Sequence, residues 1–414
     1  MWKKLGPGVL LAGAAIGGSH LVASTQAGAA YGWALLGILF LVNLFKYPFF
    51  LYAQRYTAAT DKPILEGYLQ MGRTYLLLFF FLSIFSGIVN IAGVSMIAGS
   101  LAVNFGLHGI SVPHLSGSIM LICLLVIILG GYPLLKRFGK VIVLILGVST
   151  LIAVIISVII GPVAPAGFQG ESPWTLASFG FVIMFMGWMP APIDVSVWPS
   201  LWMKPRGKRE DKPRENPFNM QDVMFDFHVG YGASVFFAFV FLILGKMVLF
   251  GSGIELSSQG SVFARQLIDL YSVTIGGWAR PLIIIAAFSA MFSTTLTTID
   301  AYPRSLATSW NLLFSKGRIA FKRLHHIWLV AGSVLGYLVI TNFVDGLGDM
   351  LALAMILSFL TAPVFAFLNY RVMLGGDVPA KYKPRLWQKI LSVAGILFLG
   401  GFGLVFIYWY AFLQ

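Results

Sequence analysis

The sequence predicts an all-helical membrane protein, and three observations carry that expectation. Of the 414 residues, 58% are hydrophobic and only 10% are charged. A mean hydropathy of +0.86 excludes a soluble domain of this length. A hydrocarbon layer about 30 Å thick takes roughly 20 apolar helical residues to cross, and eleven such runs stand along the chain. The 28 Lys and Arg residues gather in alternate connections between the runs, which marks one membrane face.

In order, the runs cover residues 7–29, 33–54, 75–104, 116–135, 141–163, 175–202, 226–250, 276–309, 326–344, 347–370 and 388–412. The first can itself direct insertion, so no separate leader is expected. With eleven spans, 23 basic residues fall on one side and only Lys246, Arg265 and Arg280 on the other. The N-terminus is then cytoplasmic and the C-terminus outside, in the plasma membrane of a bacterium. Lys46 and Arg304 lie inside runs 2 and 8, near their cytoplasmic ends. The stretch "KPRGKREDKPR" (204–214) reads first as a topology determinant and second as a contact for anionic lipid. Placed this way, the net charge of +13 does not indicate a nucleic-acid partner. The single Cys123 excludes a disulfide framework and reads as a small buried hydrophobe. No P-loop, Rossmann fingerprint, Ser-His-Asp order or HExxH motif occurs, so neither ATP-driven pumping nor hydrolysis has local support and no cofactor is expected.

Two runs are interrupted. The first, "GPGVLLAGAAIGGSHLVASTQAGAAYGW" (6–33), carries Ile16-Gly17-Gly18-Ser19-His20 at its middle, where each Gly costs a helix roughly 1 kcal/mol relative to Ala. The sixth holds Gly187, Pro190, Pro192 and Pro199, and two prolines a residue apart remove two backbone donors. Five spans separate the breaks, so they run in opposite directions. That offset divides the chain into a first repeat of spans 1–5 (7–163), an inverted second repeat of spans 6–10 (175–370) and an added span 11 (388–412), all within one transmembrane domain. Paired broken helices in inverted repeats point to a solute site at mid-membrane, because unwound backbone is tolerated there only where it lines a cavity or is buried in protein. Kinks that help helices pack are the plain alternative. The expectation is that Gly17 and Gly18 are non-helical and share one cavity with Met189 and Ala191.

At these residues the chain resembles the Nramp divalent-metal transporters. Gly6-Pro7-Gly8, Gln26-Ala27-Gly28-Ala29 and Tyr31-Gly32 match the family's first span, and Met189-Pro190 matches its Met-Pro-His in the sixth. The resemblance implies a LeuT-like fold of five-plus-five inverted repeats, a divalent metal ion as substrate and transport by alternating access. The departures fall on the chemistry. The family's Asp-Pro-Gly-Asn becomes Gly17-Gly18-Ser19-His20, and the His of Met-Pro-His becomes Ala191. A third-span acidic pair falls on Asn90 and Gly93. What remains of the metal set is Met189, a thioether suited to softer ions, with Met186 where the family uses a backbone carbonyl. His20 offers a new imidazole, which suits Zn, Cu, Fe or Ni.

Asp194 and Asp300 are the carboxylates inside apolar runs, and such residues default to function. Asp194, just after the break, reads equally as a cap on the second half-helix and as a substrate contact. Asp300 stands four residues before Arg304, a helical pair that could gate or staple span 8. The hydroxyls of Ser293, Thr294 and Thr297 could form a sodium-like cation site with span 1 carbonyls, as in the wider LeuT-like superfamily; back-bonding to their own helix is the commoner behaviour. His325 and His326 read as an interface, Asp345 and Asp349 as outer acids that could draw cations in, and Asp226 and His228 fit either role. Trp188 and Trp198 flank the span 6 break and could wall its cavity.

The reading is a secondary transporter of a metal cation, coupled to H+ or Na+ or uncoupled, in contact with lipid and with no nucleic-acid partner. A small organic solute with a carboxylate, held by backbone amides, is the alternative. An intramembrane enzyme using His20 and Asp194 lacks a nucleophile or metal cluster in the spans.

Overall fold

The computed structural model describes residues 6–130, 132–203, 219–315, 319–342 and 346–412, with only the backbone of 132–144 and 146. The basic stretch 204–214 and Asp345 lie outside the described residues. Among those described there is no strand.

Span 1 is a bent pair, α1 (Pro7–Ala15) and a second half running from Ser19 through a wide π-helical turn into α2 (Thr25–Tyr31). Pro7 opens α1 at the first turn, where its missing N–H is harmless. The chain continues through α3 (Leu36–Thr60), the short α4 (Ile64–Met71), α5 (Arg73–Ala102), α6 (Val112–Ile128) and α7 (Tyr132–Ile160). Span 6 is again divided, into α8 (Leu176–Trp188) and α9 (Val197–Trp202). Then follow α10 (Met220–Val248), α11 (Gly260–Ile275), α12 (Arg280–Trp310), α13 (Phe321–Thr341), α14 (Leu347–Leu374) and α15 (Leu386–Phe412). Each apolar run is helical over most of its described residues, except that the fourth is split at 129–130, so that 132–135 belong to α7 with the fifth run. Among the described residues, eight helices are long and apolar enough to cross a membrane, or nine with the bent pair counted as one. Two others are shorter: α6, and the fully described part of α7 (Gly147–Ile160). The helices α4 and α11 were not foreseen, since each is apolar along one face only.

Two packing features position the breaks. The pair α5 and α12 lies against the centre of the bundle, and α10 runs alongside both halves of span 1. The α10 contact is built on glycine: a Cβ at Gly28 would strike Leu242 O, and one at Gly245 would strike Thr25 O. In lipid, helices associate through such close backbone approach rather than through hydrophobic exclusion. Side chains facing outward are large and apolar, as at Phe85, Leu121, Ile159 and Leu404. The protein is an integral, multi-pass membrane protein.

Candidate functional site

The span 1 break is made by Ile16 and Gly17. Ile16 leaves helical geometry at φ −74°, ψ 66°, and the halves bend by 46°. Gly18 is already helical at φ −55°, ψ −39°, so the expectation that both glycines are unwound is corrected to Gly17 alone. Both are needed for close approach. A Cβ at Gly17 would collide with Thr294 Oγ1 of α12, and one at Gly18 would lie 2.8 Å from the Trp188 ring and 3.0 Å from Ile97. The start of α1 is tied to α10, where the Asp226 carboxylate accepts from the amides of Gly6 (2.7 Å), Gly8 (2.6 Å) and Val9 (3.3 Å). A carboxylate at a helix N-terminus meets both the free amides and the positive end of the dipole. Asp226 is therefore a cap, and His228 beside it bonds Tyr47 Oη at 2.9 Å.

The span 6 break follows from its prolines. Met186 O would normally accept from the amide four residues on, but residue 190 is Pro and has none. The Met189–Pro190 peptide is cis. The carbonyls so released face Lys46, which reaches from α3: Nζ donates to Met186 O (2.7 Å), Gly187 O (2.9 Å) and Ala191 O (3.2 Å). Lys46 is fully buried. Because α3 continues to Thr60, Lys46 lies fourteen residues from that end, about 21 Å at 1.5 Å per residue. It is a mid-span residue, not the end-of-span residue read from the sequence.

Asp194 stands in the turn Ile193–Ser196 that opens the second half of span 6. Its Oδ2 accepts from Ser86 Oγ (2.5 Å) and Tyr302 Oη (2.9 Å), with its own amide and that of Val195 also facing it. The network extends outward, since Asn90 Nδ2 donates to Ser86 O (2.8 Å) and Trp188 Nε1 donates to Asn90 Oδ1 (3.0 Å). Spans 3, 6 and 8 are joined at one carboxylate.

The two breaks meet. Ser19 Oγ lies 3.3 Å from Pro190 O, and Ser24 Oγ donates to Met189 Sδ at 3.3 Å. Between them lies a cavity of about 50 Å³ that takes in Gly18, Ser19, Ala191, Pro192, Thr294 and Tyr302, with Trp188 and Trp198 as walls and Asn90 and Thr298 beside them. That is room for a few waters. The lining contains no carboxylate, ammonium, guanidinium or imidazole. Gly17 and Met189 border the break without lining the cavity. Beyond α2 a separate vestibule of about 490 Å³ opens, lined by Gln26, Tyr31, Glu171, Glu255 and Met355 among others. Gly187 packs directly on Met355 O.

Several expected roles are corrected. His20 is not turned to the cavity: its Nε2 is 2.8 Å from Ser234 O on α10, and its Nδ1 is 2.7 Å from Ser19 Oγ and 2.8 Å from Ala15 O. With both nitrogens engaged and its ring edge on Phe241, it is a packed polar residue and no ligand in this arrangement. Among the described residues no three His, Cys, Asp or Glu are grouped to hold a metal. The hydroxyls of Ser293, Thr294 and Thr297 do not converge. Thr294 bonds Ala290 O (3.1 Å) and Thr297 bonds Ser293 O (2.8 Å), and of the three only Thr294 lines the cavity. Met186 contributes its carbonyl to Lys46 and buries its side chain. Asp300 and Arg304 do pair, at 2.7 Å, and His325 Nε2 joins from α13 at 3.3 Å, which makes His325 an interface residue. Asp349 lies in the first turn of α14. Ser86, Thr298 and Tyr302 carry no local sequence signal that marks them, and Lys46 is marked only as a charge within a span.

Two broken helices that face each other across a small cavity are the arrangement of transporters of LeuT-like fold. The chain belongs to the natural resistance-associated macrophage protein-like (Nramp) family, whose model matches residues 8–409. An uncharacterized protein of Pasteurella multocida is 40% identical over 98% of this chain and 92% of its own length. Among solved structures, a mutant of an Eremococcus coleocola manganese transporter superposes with a TM-score of 0.68 at 13% identity, covering 97% of this chain and 85% of that one. MhsT in complex with L-phenylalanine gives the same TM-score at 12% identity, covering 97% and 98%. At such identities the two structures establish the fold.

Proposed function

We propose that the protein is a secondary-active transporter that moves a small uncharged or zwitterionic organic solute by alternating access around the two breaks. The observation that carries the choice of solute is the cavity lining, which sets a few hydroxyl, amide and indole groups among aliphatic residues such as Leu11, Val94 and Val195 and presents no charged side chain. A divalent ion such as Mn2+ wants a shell of hard oxygen ligands and a compensating negative charge. Among the described residues the carboxylate of the break, Asp194, is held by Ser86 and Tyr302, and Lys46 of span 2 brings its ammonium to the carbonyls of the same broken span. One group of each sign at the break leaves no net charge for an ion to offset. A zwitterion such as an amino acid brings its own balance, and one neighbour of this fold is in complex with L-phenylalanine.

The metal reading keeps one observation in its favour. Met189 retains its thioether at the break, next to Ser24, and the family together with the manganese-transporter neighbour points to a cation. Isothermal titration of purified protein separates the two. The expected result is binding of an amino-acid-like solute and no micromolar binding of Mn2+. Micromolar Mn2+ binding that is lost in Met189→Ala would return the assignment to a metal ion.

The two halves of the bundle would act as inverted repeats, spans 1–5 against spans 6–10, with H+ or Na+ as the candidate coupling ions and the basic connections cytoplasmic in a bacterial plasma membrane. A cysteine at the exposed Ile254 should then react with an impermeant reagent in intact cells, while one at Arg209 should not.

A further inference from the structure

Lys46 does not line the cavity, yet it is buried at mid-span on three main-chain carbonyls. An ammonium has three N–H donors and no lone pair, so a cradle of three carbonyls is a set that a cation fills. A neutral amine would turn its lone pair on one of them. Two features of the chain build the cradle. Pro190 withdraws the amide that would take Met186 O, and the break leaves Gly187 O and Ala191 O pointing the same way. The carbonyls of Met186 and Gly187 also end α8, where the helix dipole is negative and a positive charge is favoured. Unwound carbonyls and half-helix C-termini of this kind are what broken-helix transporters use to hold free cations. Here the cation arrives on a four-carbon stem from α3. The same broken span carries a carboxylate, Asp194, which Ser86 and Tyr302 hold in place.

We propose that Lys46 is a tethered cation that fills the cation position of the span 6 break. The transport cycle then requires no free metal or alkali ion at that position, and deleting the amine opens a site for ammonium or a small primary amine. The proposal rests on the transporter reading only for what the filled position means in the cycle.

The test reads binding rather than uptake, so its failure and the failure of the transport reading are distinguishable. Melting of the purified full-length protein is followed in choline chloride exchanged stepwise for sodium, potassium or methylammonium chloride at constant ionic strength. Wild type should show no saturable response to methylammonium. Lys46→Ala should be stabilised saturably by methylammonium, with an affinity at least about tenfold above any shown by wild type, while Lys46→Arg should behave as wild type. Any sodium or potassium response that wild type and Lys46→Ala share belongs to another position. Equal methylammonium responses of Lys46→Ala and wild type would overturn the proposal. If Lys46→Ala does not fold, the wild-type arm decides: saturable stabilisation by methylammonium overturns the proposal, and indifference to it supports the proposal.

Discussion

The two breaks solve one problem with different residues. In span 1 the helix is opened by glycine and closed again by proximity: Gly17 lies on Thr294, Gly18 on Trp188 and Ile97, and Ser19 Oγ returns to Ala15 O at 2.6 Å. In span 6 the helix is opened by proline, which removes donors outright, and the orphaned carbonyls are satisfied by a charge from another span. A glycine break leaves backbone groups that local hydroxyls can reach. A proline break leaves acceptors that only an outside donor can fill, since buried carbonyls without partners each cost on the order of 1–3 kcal/mol. The first is held by shape and the second by charge.

The largest expected effect falls on the charged break. Lys46→Met keeps the stem and removes the ammonium, leaving three carbonyls unpaired and Asp194 without its countercharge. A buried acceptor left without its donor costs on the order of 1–3 kcal/mol, and three are left here, which should appear as a lowered melting temperature. Adding Asp194→Asn should restore part of that loss, because the uncompensated negative charge goes with it. A double variant no more stable than Lys46→Met would mean that the two groups act independently.

The glycine break should respond to volume instead. Gly17→Ala places a methyl group against Thr294 Oγ1, an overpacking worth about 1–3 kcal/mol. Thr294→Ala removes that atom, so the pair should show positive coupling in a double-mutant cycle, whereas Lys46→Met combined with Gly17→Ala should be additive. Gly17→Leu cannot be accommodated by trimming Thr294 alone and should abolish uptake in proteoliposomes. Wild-type uptake by Gly17→Leu would show the break to be a packing kink with no part in transport.

How much of this was legible in the sequence differs between the breaks for a physical reason. Hydrophobic run length and the Gly and Pro punctuation are local properties, and they located the long apolar helices and both interruptions, though not the one-faced α4 and α11. Contacts between spans are not local. The second apolar run stops at residue 54, but Gln54 is buried and Arg55 reaches Gln388 Oε1 at 2.9 Å. The helix runs on to Thr60, so Lys46, which the run alone puts near the cytoplasmic end of its span, stands at mid-span. The periodicity of span 1 likewise could not show which way His20 points. The π-helical turn at Ser19–Ser24 carries its ring to Ser234 on α10. Asp194 was recognisable as an intramembrane carboxylate, but its partners Ser86 and Tyr302 lie 108 residues away on either side.

The smallest expected effect concerns span 8, and it sharpens the contrast by asking whether the glycine break also holds a cation. A site shared by span 1 carbonyls and the hydroxyls of Ser293, Thr294 and Thr297 would make Thr297 a ligand. In the structure Thr297 Oγ1 donates to Ser293 O at 2.8 Å, within its own helix. It does not line the cavity, whereas Thr294 and Thr298 do. Back-bonding of this kind adds little stability and often bends a helix slightly. Thr297→Val should accordingly change stability by no more than about 0.5 kcal/mol in either direction and leave any sodium dependence of uptake where it was. Thr298 Oγ1 also donates within its helix, to Thr294 O at 2.7 Å, but it borders the cavity, where its oxygen can still accept. Thr298→Val should therefore raise the KM for the organic solute and leave the maximal rate nearly unchanged, the signature of lost uniform binding. A loss of sodium-dependent uptake in Thr297→Val alone would place a cation between spans 1 and 8, and the glycine break would then be held by charge as well.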